Sequence, residues 1–288
     1  LKTHWLAIAA LFFVASAWGA TFTFVKSALG RIAPEPFIVF RFLVAGAVLL
    51  ILALALRQLP RAAIVPGIIL GLVLFGAYWG QTRGLLTISP SRSAFLTGLY
   101  VVFVPFADRA LYKTRIPFAA WIGSALALAG TALLIGGFNA RPTLGDLLTV
   151  GCAVCSALHV VLSAKYSVNV PALGLAAVQV LAVGVAAIPA SVFAPRVLWS
   201  REVAFAVVST AIVTTALAFV ALMWGQARVT ATEAAVILAF EPVAASITSI
   251  VFAHEPVTPM FLTGAALILM AIVLSQLPES PRRDPLAQ

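Results

Sequence analysis

Ten apolar runs, each about as long as a bilayer is thick, constrain this chain more than any other feature. They fall at roughly 4–28, 36–56, 62–84, 92–112, 117–138, 145–166, 171–193, 203–225, 232–252 and 258–277. About twenty apolar residues in helical form cross the hydrocarbon core, and a backbone in lipid must satisfy its own hydrogen bonds. Of the 288 residues, 62% are hydrophobic and 9% charged. A soluble domain carries about 25% charged residues, so only lipid can serve as outer solvent here. The expected fold is an all-α membrane protein of ten transmembrane helices, and the first run reads as a span rather than a cleavable leader.

The breaks between runs carry Pro, Gly or charge, as in GRIAPEP, RQLPR, TISPSR, NARPTLGD and HEPVTP. No inserted soluble domain is expected, and the polar tail 279–288 reads as disordered. Lys and Arg outnumber Asp and Glu by 18 to 9, but they punctuate the gaps instead of forming an aromatic-interleaved patch. That distribution marks topology and argues against nucleic-acid binding. With the N-terminus in the cytoplasm, ten basic residues fall inside and six outside, so both termini are expected to be cytoplasmic.

The chain also reads as doubled. Shifted by 141 positions, GLLTISPSRSAF (84–95) lies over GQARVTATEAAV (225–236), and Gly123 falls on Gly264. Two five-helix units follow, 1–140 and 141–278. Five is odd, so the second unit enters the membrane from the opposite side. Such inverted repeats place a substrate site at the midplane between halves.

Polar residues inside the runs are the candidate site. Glu241 and Pro242 stand together in the ninth run, ILAFEPVAASITSIVFA. An ionisable group at that depth costs several kcal/mol on most scales. Two roles fit it: a contact for substrate or proton, or a cap on backbone opened by the proline. Tyr100 occupies the repeat position of Glu241. Pro105 and Pro242 are expected to kink their helices as hinges. In the third run, GAYWGQTRG, the glycines have small-xxx-small spacing for close helix packing. Tyr78, Trp79, Gln81 and Arg83 cover several faces of that helix. They offer an aromatic cavity wall with polar groups, or an interfacial Trp79 and a snorkelling Arg83. Trp18 on the first run, His159 on the sixth and Trp224 on the eighth complete the candidates. His159 suits a proton carrier or an interhelical hydrogen bond, and the second is favoured. Lys26 and Arg41 suit anchors at helix ends better than attractors of an anion.

Cys152 and Cys155 form a CxxC inside an apolar run with no further ligands, so they read as two small residues on a helix face. No Walker A loop, HExxH, GxSxG or dinucleotide fingerprint is present, so no catalytic centre, metal or cofactor is expected.

SAWGATFTFVKSALG followed by PEPFIVFRFLVAGAVLL, and AFEPVAASITSIVFAHEPVTPMFLTGAALILMAIVL near the end, resemble the opening and closing of a repeat in the EamA family of the drug/metabolite transporter superfamily. The matching positions are Trp18, Gly19, Lys26, Arg41, Glu241, Pro242, Glu255 and Gly264. The first copy departs from the pattern, with Tyr100-Val101-Val102 where Glu-Pro-Val stands in the second. Within the superfamily the chain is most similar to bacterial YddG-type aromatic amino-acid exporters. The resemblance implies ten helices around a central cavity, alternating access, and export of small metabolites such as aromatic or other neutral amino acids across a bacterial inner membrane. Proton-coupled efflux of lipophilic cations is the alternative, with Glu241 as counter-charge.

Overall fold

The computed structural model describes residues 2–113, 118–134, 143–253 and 259–275, and all regular structure among them is helical. The first half contains α1 (Lys2–Ala28), α2 (Pro34–Ala55), α3 (Ile64–Gly84), α4 (Pro90–Gly98), α5 (Tyr100–Tyr112) and α6 (Phe118–Leu134). The second contains α7 (Leu144–Tyr166), α8 (Ala172–Ser191), α9 (Arg201–Ser209), a π-helical segment (Thr210–Leu217), α10 (Ala218–Gln226), α11 (Ala231–Leu238), α12 (Glu241–Ala253) and α13 (Pro259–Ser275).

Eight stretches among the described residues are long and apolar enough to cross a membrane; α4–α5, α9 to α10, and α11 with much of α12 each count as one. Over the fifth and tenth expected runs the described helices are α6 and α13, 17 residues each. The tail 279–288, Glu255, Arg115, Arg141, Arg282 and Arg283 lie outside the described residues.

Three expected spans depart from a simple α-helix. α4 stops at Gly98 and α5 starts at Tyr100. α11 stops at Leu238 and α12 starts at Glu241. In the eighth span, α9 passes into α10 through eight residues of π-helix. The break in the fourth span therefore lies at Leu99, and α5 runs on through Pro105. In the ninth span Pro242 is the second residue of α12, so it follows the break. A proline there forfeits no intrahelical bond, because first-turn N–H groups have no partner in any case.

Large apolar side chains such as Ile51, Leu54, Val65, Leu72, Val185 and Phe205 point outward, as a lipid-facing surface requires. Inside, α2 packs along α8, α6 along α13, α3 along α7 and α8, and α1 along α10 and α12. Without a hydrophobic drive in lipid, such contacts rest on close backbone approach. The glycine ladder of α3 supplies it: a Cβ on Gly80 would lie 2.6 Å from the Leu148 carbonyl oxygen of α7, and one on Gly67 would lie 2.5 Å from Val178 of α8.

Candidate functional site

The third helix sorts its own residues. Leu74, Ala77, Tyr78, Gln81, Thr82 and Leu85 recur at spacings of three and four, and all face one central cavity. Trp18, Tyr100, His159 and Glu241 line the same cavity, which has a volume of about 70 Å³. That is room for several waters. Six of the residues singled out in the sequence thus meet: Trp18, Tyr78, Gln81, Tyr100, His159 and Glu241.

Trp79, Arg83 and Trp224 do not line it. Arg83 sits 5.8 Å from the Trp79 ring centre and donates from Nε to Glu35 Oε1 at 2.5 Å, which ties α3 to the start of α2. Trp224 is covered by Arg228, 4.1 Å from its ring centre, and its carbonyl accepts from the same guanidinium at 2.6 Å.

Glu241 is the first residue of α12 and only 6% exposed. Its carboxylate forms no hydrogen bond or ion pair with the other described side chains or backbone. The break before it leaves the first N–H groups of α12 pointing toward the carboxylate's end of the helix, where the helix dipole favours negative charge. Gly19 allows α1 to lie against this turn: a Cβ there would meet the Glu241 carbonyl oxygen and come within 2.7 Å of the Ala244 methyl.

Arg41 corrects the sequence reading. It was expected to anchor a helix end, yet it is 4% exposed and lines the cavity with Glu241. Its Nε donates to Thr215 Oγ1 at 2.8 Å and its Nη2 to Thr214 Oγ1 at 3.2 Å. The guanidinium also lies 5.1 Å from the Tyr78 ring centre and 5.4 Å from that of Phe42. The same π segment takes the indole of Trp18, whose Nε1 donates to the Thr214 carbonyl at 2.8 Å. π turns change the register in which helix carbonyls are used and recur at functional sites. Here one such turn holds both a cavity cation and a cavity aromatic. Lys26 also has a different task from anchoring in headgroups: its ammonium caps the end of α3, donating to the carbonyls of Leu85, Leu86 and Ile88.

Thr97 and Ser156 of the cavity had no place in the sequence reading, and Cys152 was read there only as a small residue. Thr97 accepts from Gln81 Nε2 at 3.1 Å, and Cys152 lies 4.0 Å from Thr97 Oγ1 and 3.7 Å from Ser156 Oγ. Cys152 and Ser156 line the cavity as well. Cys152 is therefore a cavity residue and not merely a small residue of a packed face. His159 bonds across to Gln179 of α8, Nε2 to Oε1 at 2.7 Å, and its ring meets Phe219 edge-on. The Tyr100 hydroxyl is buried without a partner among the described residues. A Tyr hydroxyl and a carboxylate without protein partners among the described residues thus line one cavity, and each is chemically able to hydrogen-bond a solute or water.

A sequence model of the EamA-like transporter family matches the chain twice, over residues 5–136 and 143–277. The chain belongs to the EamA-like transporter family. An uncharacterized transporter of Archaeoglobus fulgidus is 31% identical over 270 residues, covering 92% of this chain and 83% of the relative. The uncharacterized transporter YdfC of Bacillus subtilis is 28% identical over 155 residues, about half of each chain (52% and 50%). A protein of known crystal structure, 23% identical, superposes with a TM-score of 0.77 over 92% of this chain and 95% of its own, a likeness of fold alone. Family and composition together make this a multi-pass membrane protein of a transporter family.

Proposed function

We propose that this family member is a secondary transporter that exports small zwitterionic metabolites, foremost aromatic or other neutral amino acids, by alternating access. The observation that carries the reading is that Arg41 and Glu241, unpaired with each other, both stand on the wall of one aromatic-lined cavity. A guanidinium already steadied by two threonines recognises a carboxylate through a planar fork. A carboxylate without a protein partner takes an ammonium. Trp18, Tyr78 and Tyr100 supply faces for a ring or alkyl group between the two charges.

The halves are proposed to be the inverted five-helix repeats 1–140 and 141–278, with both termini in the cytoplasm of a bacterial inner membrane. Several features support the doubling. α4 and α11 begin 141 residues apart, at Pro90 and Ala231, and α5 and α12 begin at Tyr100 and Glu241. Ser89 and Thr230 cap α4 and α11 in equivalent positions. Exchanging the halves turns the α3–α7 contact into the α10–α1 contact and returns α2–α8 and α6–α13 to themselves. A site at such an interface reaches either side when the halves rock.

The test is flux in proteoliposomes with labelled Trp, Phe or Thr. Saturable uptake of at least one, lost in Glu241→Gln and in Arg41→Gln, is the expected result. No saturable flux for any amino acid would reject the substrate class. Growth protection against lipophilic cations that depends on Glu241 but not on Arg41 would favour drug efflux, which the cavity cation disfavours.

A further inference from the structure

A second, larger hollow lies on the outside of the bundle, between α1 and the α9–π segment. It has a volume of about 630 Å³, and Ala20 and Phe24 of α1 face Phe205, Ala206 and Val213 across it. At one end stand Arg31, Arg201 and Glu202; toward the other, Thr21 lines both this groove and the central cavity, and Thr214 of the groove accepts a hydrogen bond from Arg41 of the cavity wall. From Arg201 to Thr214 the helix rises about 20 Å, and from Ala17 to Ala28 about 17 Å. One leaflet of hydrocarbon is about 15 Å deep. The groove thus runs from headgroup level to mid-membrane.

Two observations identify its mouth. The segment leading into α9 exposes Phe193 (91%), Leu198 (81%) and Trp199 (55%), the composition of a stretch lying at the membrane–water interface. The charged end carries two arginines against one carboxylate. Arg31 pairs with Glu202 at 2.9 Å, with both side chains more than half exposed (57% and 64%), and Arg201 adds a further positive charge. An apolar trough one leaflet deep, closed at headgroup level by excess positive charge, fits one kind of ligand.

We propose that this groove is a lipid site that holds one acyl chain of an anionic phospholipid, with its phosphate on Arg201 and Arg31. The inference requires only that the spans lie in a bilayer and is independent of the transported solute. The chain wedges between α1 of the first half and α9 of the second, and its tip ends near Thr214 and at Thr21, the residue that lines both groove and cavity. A bound lipid therefore seals the cavity laterally and bears on a contact between the halves.

The probes are dioleoyl phosphatidylglycerol and dioleoyl phosphatidylcholine, added to the purified protein in detergent and read by thermal unfolding and native mass spectrometry. Phosphatidylglycerol should stabilise saturably and be retained one per chain, with phosphatidylcholine weaker. Each of Arg31→Gln and Arg201→Gln should weaken the phosphatidylglycerol affinity about fivefold, while Glu202→Gln should strengthen it. Ala206→Trp, which fills the trough, should abolish retention of both lipids. Equal responses to the two lipids, or an Ala206→Trp protein that retains phosphatidylglycerol as before, would overturn the site. The opposite signs expected for Arg201→Gln and Glu202→Gln separate a lipid effect from general destabilisation.

Discussion

The α4–α5 and α11–α12 pairs are both interrupted near mid-span, after nine and eight residues, and each second segment opens onto the central cavity. At the first break the opening residue is Tyr100, neutral, with its hydroxyl unpaired. At the second it is Glu241, followed at once by Pro242 and backed by Gly19 of α1. The shared geometry is a helix N-terminus aimed into the cavity; what differs is that only the second bears a group that can take a cation. An interrupted helix offers free N–H groups and a dipole wherever it occurs, and a single side chain then decides which break carries an ionisable group.

That contrast can be broken most sharply by exchanging the groups. Glu241→Gln should lower proteoliposome flux at least about tenfold, since a polar site that loses one charge of a fully desolvated contact gives up about 2 kcal/mol or more. Tyr100→Phe should change flux less than about threefold, the worth of one neutral hydrogen bond. Equal losses would mean that the two breaks act alike. Arg41→Gln should match Glu241→Gln, and Arg41→Lys should recover only part of the activity, because an ammonium lacks the fork that Thr214, Thr215 and a carboxylate share. Full activity in Arg41→Lys would reduce the residue to a point charge.

Smaller effects concern packing around the second break. Gly19→Leu drives a side chain into the first turn of α12. It should lower stability by about 1–3 kcal/mol in thermal unfolding. Trp18→Phe keeps the ring and removes the N–H donated to Thr214, an expected cost of about 1 kcal/mol. Pro242→Ala should change stability least, within about 0.5 kcal/mol, because the second position of a helix has no backbone bond to regain. A large loss there would restore the proline to the role of a kink.

Much of the architecture was legible because bilayer thickness imposes a length on apolar runs, and duplicated breaks leave matching punctuation, Ser89 with Thr230 and Gly84 with Gly225. Much of the cavity was legible for a related reason: a buried Glu241, Tyr100 or His159 is costly in an apolar run unless it faces a partner or water. Trp79 and Arg83, which do not line this cavity, fall off the stripe at 74, 77, 78, 81, 82 and 85, a separation that helical periodicity on α3 carries. Arg41 stands seven residues into α2, deep enough that a headgroup anchor was the poorer reading. The π segment had no legible signal. TAIVTTAL is ordinary helix-compatible sequence, and its register is held by partners remote in the chain, Trp18 and Arg41.

Equilibrium binding of a labelled aromatic amino acid to the purified protein tests the charge-paired cavity most directly, with Glu241→Gln and Arg41→Gln measured beside the wild type at matched thermal stability. Saturable binding in the wild type, weakened at least about tenfold in each variant, is the expected result. Binding that survives unchanged in both variants would show that the solute does not bridge Arg41 and Glu241, and would contradict the site.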